Sequence, residues 1–275
     1  MHIIRRLYRE EFDFPATKNG KASYMLATTP RSGSTFFSTL LWRTGVAGAP
    51  MEYLNFVAVA ADMMPRLGFD AHQVRTMTDD ELSHYWKMVK EVRTSSNGVF
   101  SYKMFMMNIS YLFNRHPKFL FEEISPDHVI YLTRQDILSQ AISYARAIQT
   151  KVWYTDAGDA ALASYEYGRI KRARDGLLAQ HKFWEGYFLH TGIDPIRITY
   201  EDLLENASST VESVLARMNL ALEPRRQIAI PDFKRQRDDV TEEWRLRFQQ
   251  DEIARTFTRS RLRARCSPAK TPQEC

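Results

Sequence analysis

Cysteine is almost missing from this chain: of 275 residues only Cys266 and Cys275 carry a thiol, and both lie in the tail. Two tail cysteines cannot staple the rest of the chain, so a reducing compartment is expected, with at most a terminal clip between them. No zinc-type spacing occurs, and none of the seven histidines falls in an HExxH pattern, so no metal centre is expected. Apolar runs are short; none approaches the roughly 18 residues of a membrane span. The opening Met1-His2-Ile3-Ile4-Arg5-Arg6 has charge but no apolar core of a secretory signal. These absences point to a cytoplasmic protein. Internal repeats and low-complexity tracts are absent as well.

What is present suits a soluble globular enzyme. With 44% hydrophobic and 26% charged residues, the chain can bury one substantial core. A net charge of +5 fits anionic ligands without implying nucleic acid. Positive charge gathers late, at Arg255, Arg259, Arg261, Arg263 and Arg265. Such a run can close over a polyanion or touch a membrane surface, although a solvated face is the commoner role. No aromatic residue interleaves with these arginines after Phe257, which argues against single-stranded nucleic acid. The expected organisation is an N-terminal extension at 1–22 without an interpretable motif, a domain at 23–250, and a basic, flexible tail at 251–275.

The most informative stretch is Thr28-Thr29-Pro30-Arg31-Ser32-Gly33-Ser34-Thr35. It follows an apolar run (Tyr24 to Ala27) that reads as a buried strand. It precedes Phe36, Phe37, Leu40, Leu41 and Trp42, which form a stripe at helical spacing. A strand, a tight loop and a helix start present backbone N–H groups at the positive end of a helix dipole, and that is an anion site. A nucleotide-kinase loop would need Gly at position 28 and Lys at position 34, where this chain has Thr28 and Ser34. The basic residue is instead Arg31. Further strands are expected at Val99–Met104, His128–Thr133 and Ile196–Tyr200. Helices are expected from Thr78 to about Arg93, from Asp136 through Gln149, over roughly Gly158–Tyr187, and over Glu201–Asn219. Strands separated by helices predict an α/β fold: a single P-loop-like domain with a central, mainly parallel sheet flanked by helices. Ligands of such sheets lie beyond the carboxyl ends of the strands, so the loops at Arg31 and Arg134 can face one ligand. Ser143, two helical turns after Asp136, is a hydroxyl that can join Arg134 on a phosphate.

The string Pro30-Arg31-Ser32-Gly33-Ser34-Thr35 is followed by Thr44 to Tyr53, Arg134-Gln135-Asp136 through Gln140 to Ser143, Gln149 to Trp153, and Arg235-Gln236…Glu243-Trp244. In this order and spacing, from about residue 23 to 248, the strings resemble the PAPS-dependent sulfotransferases, and most closely the bacterial Stf0 carbohydrate sulfotransferase family. The resemblance implies PAPS (3′-phosphoadenosine-5′-phosphosulfate) as donor, without a metal. Arg31 and the loop residues Ser32, Gly33, Ser34 and Thr35 would hold its 5′-phosphosulfate, and Arg134 with Ser143 its 3′-phosphate. It implies Glu52 as the general base toward an acceptor hydroxyl, with Arg31 stabilising the transferring group. Lys103 aligns with a family lysine and is a second anion contact; Arg235 is a candidate for closing the donor site. Trp153 is a candidate contact for the adenine or the acceptor.

The family's trehalose-sulfating enzyme has polar residues where this chain has Ala49 and Met51. That difference points to another glycan, a lipid-linked saccharide or another hydroxyl compound as acceptor. The resemblance also leaves room for a homodimer. Two other readings stay open at this point: a kinase-like phosphotransferase with an aberrant loop, and a non-catalytic nucleotide-binding module.

Overall fold

The computed structural model describes residues 7–15, 20–60, 62–70, 76–153, 163–222 and 239–265, with side chains of the last helix described up to Phe257. Four strands form one wholly parallel sheet: β1 (Ala22–Thr28), β2 (Val99–Phe105), β3 (His128–Thr133) and β4 (Ile196–Thr199), in the spatial order β2-β1-β3-β4. Tyr24 lies opposite Ser101 of β2 and His128 of β3, so β1 is central and paired on both sides. Both faces of β1 are covered. Met25 and Ala27 pack in a cluster with Trp86 and Trp184, whereas Tyr24 and Leu26 pack with Phe37 and Leu40. Double coverage explains why β1 reads as a continuous apolar run rather than an alternating one.

The helices start where their caps dictate. Helix α1 (Ser34–Arg43) follows β1 directly, and α2 (Asp79–Arg93) begins at the Thr78–Glu81 capping box. Helices α3 (Met106–Arg115) and α4 (Pro117–Glu123) lead from β2 to β3. Asp136 caps α5 (Ile137–Thr150) by accepting from the Ser139 N–H at 3.1 Å. The long α6 (Tyr167–Thr191) buries Trp184 and Phe188 and ends at Gly192 in the left-handed conformation.

Three expectations change. The long helix begins at Tyr167, with residues 163–166 outside any helix, and it runs on to Thr191. The stretch expected as one helix over Glu201–Asn219 is two, α7 (Tyr200–Glu205) and α8 (Ala207–Arg217). Asn206 ends the first and caps the second by accepting from Ser209 N–H at 2.9 Å. Residues 251–265, read as tail, continue a single helix α9 (Asp239–Arg265). Cys266 and Cys275 lie outside the described residues.

The residues before β1 also have a structural role. Leu7, Tyr8 and Phe12 are buried in the main core. Arg93, fully buried at the end of α2, donates to the carbonyls of Leu7 (3.0 Å) and Arg9 (3.2 Å) and pairs with Asp13 (3.0 Å). A buried guanidinium is tolerable only with such partners, so this segment and α2 stabilise each other.

Candidate active site

All the loops in question leave the carboxyl end of the sheet. In the order β2-β1-β3-β4 the chain crosses from β1 to β2 on one side and reaches β3 on the other, so the switch in direction falls beside β1. The loop after β1 is held at almost every residue. Thr28 Oγ1 donates to the Leu132 carbonyl at 2.9 Å and shares a 2.6 Å hydrogen bond with Ser32 Oγ. The Trp184 indole N–H donates to the Thr28 carbonyl at 3.0 Å. Gln140 Nε2 reaches Thr29 Oγ1 (2.9 Å) and the Pro30 carbonyl (2.7 Å). The Ser32 hydroxyl is thus engaged within the fold, and what this residue can offer an anion is its backbone N–H.

Two residues of the loop take left-handed conformations, Arg31 at φ 65° and Gly33 at φ 81°. For Arg31 this is a sparsely populated conformation retained by the surrounding hydrogen bonds. For Gly33 a side chain is excluded on two counts: φ is positive, and a Cβ would stand 2.4 Å from Cδ2 of Tyr200. Gly33 is also the N-cap of α1 and contributes no capping side chain. The first-turn N–H groups therefore face the loop at the positive end of the helix, where an anion is stabilised.

The two arginines singled out in the sequence come together across this loop. Arg31 Nε donates to Ser143 Oγ at 3.0 Å, and its Nη1 donates to the Trp153 carbonyl. Arg134 Nη1 lies 3.5 Å from the Arg31 carbonyl, and its guanidinium stacks over the Tyr200 ring, 4.8 Å from the centroid. Ser143 therefore also serves Arg31, besides the role with Arg134 expected from the sequence. Trp153 enters through its backbone carbonyl, with its ring 6.1 Å from that of Tyr144. Asp136 completes the edge: it accepts from Ser139 and pairs with Arg245 of α9 at 2.8 Å. Its carboxyl lies below its ordinary range: desolvation by burial raises it, but the Ser139 hydrogen bonds, Arg245 and Arg134 outweigh that and hold the proton off.

Glu52 lies in the segment that follows α1. The chain from 49 to 55 is pinned to its surroundings: the Pro50 carbonyl by Ser38 Oγ (2.7 Å), that of Met51 by the Lys103 N–H (2.8 Å), that of Tyr53 by Tyr85 OH (2.9 Å) and that of Leu54 by Asn108 Nδ2 (3.1 Å). Met51 bridges to Tyr102 as an extra strand-like contact. Ala49, Met51 and Tyr53 are buried, at 0%, 1% and 0% exposure, as are Pro50 and Leu54, whereas Glu52 is only partly buried. Its Oε1 pairs with Lys103 Nζ at 3.1 Å, and the same ammonium lies 3.4 Å from Thr35 Oγ1 in the first turn of α1. Its Oε2 accepts from Asn55 Nδ2 at 2.9 Å. The Lys103 side chain is 1% exposed and that of Glu52 12%. One buried cation therefore spans the gap between the carboxylate and the first turn of α1.

The burial of Ala49 and Met51 corrects the sequence-based argument on the acceptor. Neither side chain can touch a substrate, so their lack of polarity says nothing about which sugar is used. Arg235 lies outside the described residues. Met104 is buried core, whereas Met107 is exposed at the start of α3. Asn55, Gln140, Trp184 and Tyr200 were not singled out as site residues, yet they hold Glu52, the loop and Arg134. A signal for Asn55 existed in its offset of three residues from Glu52. A cavity of about 400 Å³ opens at the opposite, amino end of the strands among Lys21, Trp86, Lys90, Glu123 and Asp127, and none of the predicted site residues lines it. Among the described residues no cluster of three or more His, Cys, Asp or Glu is placed to hold a metal, and no helix is long and apolar enough to cross a membrane.

Comparison with known proteins settles the family. The profile described as Stf0 sulphotransferase matches residues 23–251. The chain belongs to the Stf0 sulphotransferase family. Two relatives are trehalose 2-sulfotransferases. The one from Mycolicibacterium smegmatis (strain ATCC 700084 / mc(2)155) is 29% identical over 257 residues, covering 83% of this chain and 95% of the relative. The one from Mycobacterium tuberculosis (strain ATCC 35801 / TMC 107 / Erdman) is 30% identical over 251 residues, covering 80% and 92%. Among solved structures, the sulfotransferase domain from the curacin biosynthetic pathway aligns with TM-score 0.39 and 18% identity over 75% of this chain and 77% of that one. A sulfotransferase from Alicyclobacillus acidocaldarius aligns with TM-score 0.44 and 13% identity over 86% and 94%. Membership in the Stf0 family makes this chain a transferase that handles a sulfate donor.

Proposed function

We infer that the protein transfers a sulfuryl group from PAPS to a hydroxyl of a carbohydrate or glycoconjugate, by in-line displacement with Glu52 as general base. The observation that carries this reading is the position of Lys103, within hydrogen-bonding distance of both the Glu52 carboxylate and Thr35 of the anion-binding helix. A base is useful only within reach of the group being transferred, and this ammonium connects the two. The donor set fits PAPS. Arg31 and the N–H groups from Ser32 to Thr35 suit the 5′-phosphosulfate, and Arg134 with the Ser143 hydroxyl suits the 3′-phosphate, the contacts being charge-assisted. Arg235 is retained as a candidate for closing the donor site.

The chemistry balances without an enzyme-bound intermediate. The acceptor oxygen forms a new bond to sulfur as the bond from sulfur to the bridging oxygen of the 5′-phosphate breaks. The hydroxyl proton passes to Glu52, and adenosine 3′,5′-bisphosphate leaves with the electron pair. Charge develops on the non-bridging oxygens and on the leaving phosphate, where Arg31, Lys103 and the helix start stabilise it.

The two relatives are named for trehalose, and with Ala49 and Met51 buried no side chain here argues against that sugar. Trehalose is therefore the first acceptor to test, followed by cell-envelope glycolipids. The protein incubated with PAPS labelled in its sulfate is expected to label such an acceptor in the presence of EDTA. Transfer from ATP that requires Mg²⁺, with no transfer from PAPS, would instead identify a phosphotransferase.

A further inference from the structure

We propose that Asn55 is a positioning residue for the base: its side-chain amide fixes the plane of the Glu52 carboxylate against the incoming hydroxyl. The proposal rests on the reading of Glu52 as the base. The terminal torsion of a glutamate is broad and roughly two-fold, so a carboxylate held through one oxygen can still rotate. Here each oxygen has its own donor, Lys103 on Oε1 at 3.1 Å and Asn55 on Oε2 at 2.9 Å. Two donors on separate oxygens fix the plane, and each oxygen keeps lone-pair capacity for a substrate proton.

The placement of Asn55 is unusual for its local position. It is the N-cap of the one-turn helix Phe56–Val59, where asparagine is favoured because its Oδ1 accepts from the N–H groups of the first turn. Asn55 makes no such side-chain cap. Its amide is turned back to Glu52 instead. The turn that allows this is closed by the Asn55 N–H donating to the Glu52 carbonyl at 3.0 Å. Between the two residues, Tyr85 and Asn108 anchor the carbonyls of Tyr53 and Leu54, so the amide is delivered from a fixed backbone. The two donors also differ in kind. Lys103 brings charge and lies toward Thr35, whereas Asn55 is neutral and orients the carboxylate without adding a second cation.

Four variants test the assignment: Asn55→Ala, Asn55→Asp, Glu52→Gln, and Asn55→Ala combined with Glu52→Gln. Asn55→Ala is expected to lower kcat about ten- to a hundredfold through misplacement of the base, with KM for PAPS and the thermal midpoint near native. Asn55→Asp keeps an equally good N-cap residue but removes the donor and sets a second carboxylate against Glu52. It is expected to lose at least as much activity as Asn55→Ala. In the Glu52→Gln background the loss from Asn55→Ala should disappear, because the carboxylate it positions is gone. A residue that only shapes the turn gives other results: Asn55→Asp would be silent, or the Asn55→Ala loss would persist undiminished in the double variant, and either outcome overturns the proposal. The two levels separate cleanly. Slow Glu52→Gln with native-like Asn55→Ala refutes only the role of Asn55; fully active Glu52→Gln refutes the base itself.

Discussion

Glu52→Gln is expected to slow sulfuryl transfer about 10²- to 10⁴-fold, the usual contribution of a positioned general base, while donor affinity stays near native. The substitution removes the proton acceptor and preserves shape. An amide oxygen can still accept from Lys103, and none of the residues assigned to the donor phosphates is altered. The cost to folding has to be measured alongside, because Lys103 is buried and loses its anionic partner. Glu52→Asp supplies the control. It retains the charge, withdraws the carboxylate by one methylene, and should fold like the native protein yet turn over slowly. Single-turnover rates with saturating PAPS, read beside urea unfolding of both variants, separate the chemical step from stability. If both variants transferred sulfate at the native rate, the base would have to be sought elsewhere.

Lys103→Met carries the second large effect, and it falls on folding as well as on turnover. The ammonium is 1% exposed and neutralises a carboxylate that is 12% exposed, so its removal leaves Glu52 with only the neutral Asn55 as hydrogen-bonding partner. Breaking a buried pair from one side costs roughly 3–5 kcal/mol, and the residual exposure of Glu52 places this case toward the lower end. Turnover should fall about 10²- to 10³-fold further than instability alone explains, because the cation nearest to both the base and the anion helix is gone. Urea unfolding at neutral pH and a rate measured on the fully folded fraction check the two parts separately. Native stability with native turnover would mean that the pair with Glu52 contributes neither to the fold nor to the reaction.

The strand–loop–helix of residues 22–43 was legible because burial on both faces, a tight loop and an amphipathic stripe all leave marks in one short string. The same holds for the Thr78 and Asp136 caps. The break at Tyr167 was less legible, because it interrupts a run rich in helix-forming residues, whereas the break at Asn206 had a local mark in its N-cap asparagine that the reading passed over. Within the site, the contact between Ser143 and Arg31 was not readable. Ser143 meets Arg31 because Arg31 adopts a left-handed conformation that sends its side chain toward α5. No propensity favours that conformation for arginine. The misreading of Ala49 and Met51 has a simpler cause. Proximity to Glu52 in sequence suggested proximity to the acceptor, but Met51 joins the sheet beside Tyr102, and the whole segment from Ala49 to Leu54 is buried except Glu52, which is partly so.

The central claim is that one doubly phosphorylated donor spans the pockets of Arg31 and Arg134. Calorimetric titration of adenosine 3′,5′-bisphosphate against 5′-AMP, on native protein, Arg31→Ala and Arg134→Ala, tests it most directly. The native protein should prefer the bisphosphate about ten- to a hundredfold, the value of a charge-assisted contact to the extra phosphate. Arg134→Ala should erase that preference and leave 5′-AMP binding intact, whereas Arg31→Ala should weaken both ligands. A native protein indifferent to the 3′-phosphate, or an Arg134→Ala variant that loses both ligands equally, would contradict the account.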